Sequence, residues 1–179
     1  MKMNKKIVSC TLALGLILAL PLSAEEAAPA VKKQAPSAVS FDIEQSVIKQ
    51  PLAEGVSADD AMDAMRSKAV ELNIKIVAHQ PLSAELEARG IEDVMRLEIL
   101  QFCNPEDAYE LVKFNPIFAA YMPCRIALAE DQDGQLWVMM MNLDMLINNT
   151  PLPPELREIA INVNNTLKAI MDAAAAGEF

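Results

Sequence analysis

The sequence predicts an α+β fold: a curved antiparallel sheet with helices on one face, in the order β-α-β-β-(short α)-β-β-α. Three observations predict it. Short alternating or β-branched runs bounded by Asn, Gly and Pro recur between positions 41 and 141. Two segments, 58–72 and 155–176, repeat their apolar residues every three or four positions. Asp133-Gly134 joins two apolar runs through a tight reversal, where glycine supplies the positive φ. An amphipathic helix and a half-apolar sheet each need a partner layer, so the pattern implies one core between them.

The elements follow in order. Phe41, Ile43 and Val47-Ile48 sit among polar residues and suit a half-buried first strand. Ser57 with Asp60 makes a capping box, and Ala61, Met62, Met65, Ala69 and Leu72 form one stripe of the helix that follows. Ile74-Lys75-Ile76-Val77 is the second strand, ended by Gln80-Pro81. Ser83 to Arg89 forms a turn or two of helix closed by Gly90. Val94 to Cys103 is the third strand, with Arg96 and Glu98 outward and Leu97 and Ile99 inward; a bulge at Gln101 would explain its broken alternation. Asn104-Pro105 starts a helix, since Asn caps free amides and Pro at the first position gives up no hydrogen bond. Asn115-Pro116 interrupts that helix, and Met122-Pro123 turns the chain extended before the strands Cys124–Ala129 and Gln135–Met141. In the last strand Met139 and Met141 share one face, leaving Met140 on the other as an exposed mark of a partner surface. Pro151, Pro153 and Pro154 separate the sheet from the longest helix, 155–176.

The N-terminus reads as an export signal. Lys2, Lys5 and Lys6 precede an apolar run from Ile7 to Leu20, then Pro21 and the small pair Ser23-Ala24, which places a signal peptide at 1–24. That run is shorter than the ~20 residues a spanning helix needs, and no later segment is long and apolar enough, so no membrane span is expected in the mature chain. Residues 25–40 are Ala, Pro, Lys, Gln and Ser in composition and read as a flexible linker. Residues 41–179 form a single domain, located in the periplasm or secreted. The formal net charge is −10, and losing the three signal lysines makes it more negative still. Such a surface repels nucleic acid.

Several residues together resemble a known family: Phe102-Cys103-Asn104-Pro105, Ala108-Tyr109, Asn115-Pro116, Met122-Pro123-Cys124-Arg125-Ile126 and Asp133-Gly134. This set, over roughly Phe41 to Ile147, is similar to the family called domain of unknown function 302. The resemblance implies an α+β fold similar to the TATA-binding-protein-like architecture, often homodimeric, without an established activity. The long C-terminal helix and the Met139-Met140-Met141 run are expected to lie outside the family pattern.

With Cys10 in the signal, Cys103 and Cys124 remain. An even pair in an oxidising compartment suggests a bridge. Directly opposed residues on antiparallel neighbours have Cα atoms about 4.5 to 5.5 Å apart, within the ~4.4 to 6.8 Å span of disulfides. Cys103 also precedes the amide-rich start of the Asn104 helix, which favours thiolate, and Arg125 adds to that if it reaches back. Asn104, Pro105, Pro123 and Arg125 support the pair. Cys103, Cys124 and Met122 are soft donors suited to copper(I) or haem iron. His79, the single histidine, has no carboxylate or cysteine motif beside it in the sequence and reads as an ordinary side chain.

No phosphate-cradling loop, nucleophile elbow or dinucleotide fingerprint is present. The leading expectation is therefore a noncatalytic exported binding or interaction module of unknown small ligand or protein partner, forming a homodimer, whose cysteine pair is structural or redox-responsive. The alternative is a thiol-based redox or sulfur-carrier protein using Cys103, and a haem or copper(I) carrier is a further one.

Overall fold

The structure, a computed structural model, describes residues 42–179. The expected signal peptide and linker, with Phe41, lie outside the described residues. Five strands, β1 (Val47–Pro51), β2 (Lys75–Gln80), β3 (Leu97–Cys103), β4 (Cys124–Glu130) and β5 (Leu136–Met141), form one open antiparallel sheet. Its order is β1-β5-β4-β3-β2, so β1 and β2 are the two edges. A 3₁₀ turn, Glu44–Ser46, occupies the start of the expected first strand, which begins at Val47.

The helices α1 (Ala58–Glu71) and α5 (Pro154–Ala176) cover one face. The α1 start is the capping box expected: the Asp60 amide donates to Ser57 Oγ at 3.1 Å, and the Ser57 amide donates to Asp60 Oδ2 at 3.1 Å. Its Ala61, Met62, Met65 and Ala69 meet Leu167, Ile170, Met171 and Ala174 of α5 above Leu100, Phe102, Ile126, Leu128, Val138 and Met140 of the sheet. At the far end of α5, Gly177 takes φ +67°, and a Cβ there would stand 3.0 Å from Val56, so the helix ends on glycine.

Three sequence expectations change. On β3 the inward set is Glu98, Leu100 and Phe102, not Leu97 and Ile99. Met140 is 4% exposed and belongs to the core, while Met139 and Met141 take the uncovered face. The irregularity near Gln101 lies in the partner strand: Ile76 pairs with Phe102 and Ala78 with Gln101, leaving Val77 as the extra residue. Two further short helices, α2 (Leu82–Ala88) and α4 (Leu143–Asn149), complete the described elements beside α3 (Pro105–Phe114) and a 3₁₀ segment, Pro116–Tyr121. α2 fits the turn expected before Gly90, whereas α4 was not anticipated. Asp144 ties α4 to α5 by accepting from Asn164 Nδ2 at 2.7 Å and from Lys168 Nζ at 2.5 Å.

Candidate functional site

Two Asn-Pro steps shape the segment between β3 and β4. Asn104 Oδ1 accepts from the Glu106 amide at 3.0 Å and Asn115 Oδ1 from the Ile117 amide at 3.1 Å, so each starts a separate helical piece. Neither α3 nor the 3₁₀ segment buries any residue fully. Instead they roof an apolar cavity of about 370 Å³. Leu111, Phe114 and Phe118 come from the roof, Leu146 and Ile147 from α4, and Ala160 and Val163 from α5. Met122 and Cys124, at the entry to β4, also line it.

A second hollow of about 300 Å³ reaches the uncovered sheet face, with Pro123, Arg125, Ala127 and Met139 in its wall. Tyr121, Cys124 and Leu143 border both spaces. The residues singled out in the sequence are therefore divided: Met122 and Cys124 face the apolar cavity, Pro123 and Arg125 the second hollow, and Cys103, Asn104 and Pro105 line neither.

The expected opposition of the two cysteines is not found. The β3–β4 register pairs Phe102, not Cys103, with Cys124, and side chains alternate, so the cysteines leave from opposite faces of the sheet. Both are free thiols. Burial, and next the Asp107 carboxylate, raise the Cys103 thiol above its ordinary value. Burial raises Cys124 too, Cys103 adds to this, and Arg125 only partly opposes it. The thiolate expected at the start of α3 is disfavoured first by burial and then by Asp107 in that first turn. Met122, Cys103 and Cys124 do not form one donor set, and among the described residues no group of three His, Cys, Asp or Glu side chains is placed to hold a metal ion.

A charged cluster was missed in the sequence. Glu98, 5% exposed, accepts from both His79 Nε2 at 2.5 Å and the Arg96 guanidinium, which also meets Asp59 Oδ1 at 2.6 Å. His79 thus has a carboxylate partner across the strand pair. Burial, the largest influence on Arg96, pulls it down, but Glu98 and Asp59 together more than offset this and hold it above its usual value. Strand pairing of β2 with β3 is the signal that would have located it.

The family model for the Domain of unknown function DUF302 matches residues 48–174. The chain belongs to the DUF302 family. The match runs through all of β5 and most of α5, so the methionine run and most of the C-terminal helix lie inside the matched span, where they were expected to fall outside the family pattern. An uncharacterized protein of Aquifex aeolicus (strain VF5) is 21% identical over 136 residues, 75% of this chain and 88% of the relative. The crystal structure of an uncharacterized conserved DUF302 protein from Bacillus stearothermophilus superposes with a TM-score of 0.58 at 19% identity, over 72% of this chain and 97% of that one. At such identity the likeness establishes the DUF302 fold, while activity has to be argued from the site.

Proposed function

We propose that this protein is an exported, noncatalytic binding module that holds a small apolar molecule beneath α3 and the 3₁₀ segment. One observation carries the reading: the cavity of about 370 Å³, walled almost entirely by aliphatic and aromatic side chains. It falls within the ~300 to 1,000 Å³ of ordinary small-molecule sites, which are mostly apolar with few polar groups. Export rests on the N-terminal pattern Lys2 to Ala24. Among the described residues no helix is long and apolar enough to cross a membrane. The raised thiols lend no support to redox chemistry at Cys103; Cys124 serves as cavity wall.

The neutral fluorophore N-phenyl-1-naphthylamine tests the reading. It is expected to brighten on binding the wild-type chain, and Ala160→Trp, which places an indole in the cavity, is expected to weaken binding at least about tenfold. Circular dichroism would verify that the variant is folded, with Val163→Phe as a second obstruction. No probe binding to wild type, or unchanged affinity in both folded variants, would overturn it.

We also propose a homodimer through the sheet face that α1 and α5 leave uncovered. Supporting it, that face carries Val47, Leu97, Ile99, Trp137, Met139 and Met141, none fully buried.

A further inference from the structure

We propose that the cavity selects an uncharged apolar molecule and rejects a carboxylate of the same chain length, an inference that rests on the binding reading above. The lining contains no Asp, Glu, Lys, Arg or His. Its titratable side chains are Cys124 and Tyr121, and burial keeps the Cys124 thiol in its neutral form at neutral pH. An anionic headgroup drawn inside would lose its hydration and gain no counter-charge, which is the unfavourable half of burying an ion pair.

None of the neighbouring cations lines the cavity. Lys113, on the roof helix, pairs with Glu110 at 3.1 Å, and Lys168 on α5 pairs with Asp144 at 2.5 Å. Arg125 lines the second hollow, and Arg157, one turn before Ala160, is absent from the cavity wall. Two of the wall's few polar groups are already engaged: Thr150 Oγ1 donates to the Leu146 carbonyl at 2.6 Å, and Asn115 Oδ1 accepts from the Ile117 amide. The site therefore recognises shape and apolarity, with room for about a dozen water volumes, which suits a chain of about ten carbons.

Displacement of N-phenyl-1-naphthylamine from the full chain at neutral pH, by decan-1-ol and by decanoate below their aggregation limits, tests this. Decanol is expected to displace the probe at a concentration at least about tenfold lower than decanoate. Equal or stronger displacement by decanoate would overturn the ligand class while leaving the binding reading intact, and would point to Arg157 reaching the cavity mouth. If the probe binds and neither competitor displaces it, the aliphatic class is wrong. Failure of the probe and of both molecules to bind would overturn the inference together with the reading on which it rests.

Discussion

Cys124 and Cys103 differ by one register position, and their surroundings diverge accordingly. Cys124 packs against the core, whereas Cys103 stands on the uncovered face beside the first turn of α3. Both thiols sit above their ordinary value of 9.0, burial being the main cause. Each folded thiol thus favours the neutral form, so the stability this lends is complete below about pH 9 and declines as rising pH passes that value. An aromatic disulfide reagent is expected to label Cys103 and Cys124 of the native protein slowly at neutral pH, Cys103 first, and faster as pH rises. Rapid labelling of either at neutral pH, or fewer than two thiols recovered after unfolding without reductant, would contradict that assignment. The face error on β3 has a related physical origin. Leu97 and Ile99 are as apolar as Leu100 and Phe102, because the uncovered face is apolar too, so alternation alone could not say which set meets the helices. Glu98 reversed expectation because a buried carboxylate is tolerated when it is paired and hydrogen-bonded, here by the Arg96 guanidinium and by His79 Nε2.

Caps and turns were the most legible elements. Ser57, Asn104, Asn115 and Gly134 each act locally, through hydrogen bonds or a φ value that neighbouring sequence already requires. The α1 cap also sets a pH dependence. Hydrogen bonds from the Ser57 side chain and then its backbone hold the Asp60 carboxyl below its ordinary 3.8. A depressed folded value means the stabilisation is present above the unfolded value and disappears as pH falls through the folded one. The urea midpoint of wild type is therefore expected to exceed that of Ser57→Ala at neutral pH, with the gap closing below about pH 4. A gap that stays constant to pH 3 would show that Asp60 has no part in it. By contrast α4 escaped detection, since seven residues carry too little periodicity to announce a helix. Asn142 does cap it, its Oδ1 accepting from the Met145 amide at 3.3 Å, but its position depends on Asp144 meeting Asn164 and Lys168 twenty or more residues away.

At the scale of the whole molecule, the fold class was readable and the cavity was not. Layers follow from periodicities that each segment carries by itself. The cavity instead exists between α3, the 3₁₀ segment, α4 and α5, and no one of them records the space left by the others. The same distinction applies to the uncovered face, whose apolar character on β1, β3, β4 and β5 emerges only when the strand order is known. Light scattering of the full chain at micromolar concentration is expected to return twice the monomer mass, and Met139→Lys to restore the monomer. A wild-type monomer would refute dimerisation. Addition of further strands at the edges is disfavoured on both sides: Pro51 removes a donor from β1, and the irregularity at Val77 distorts β2.

That irregularity also works as a frameshift written in backbone. Beyond Val77, every β2 side chain is transferred to the opposite side of the sheet from the one plain alternation would give it. Without the additional residue, position 79 would align with Ile99 rather than Leu100, and the imidazole would stand over bare sheet, leaving Glu98 to Arg96 alone. The sole histidine of the chain meets its acidic neighbour because an aliphatic residue two places earlier is one too many.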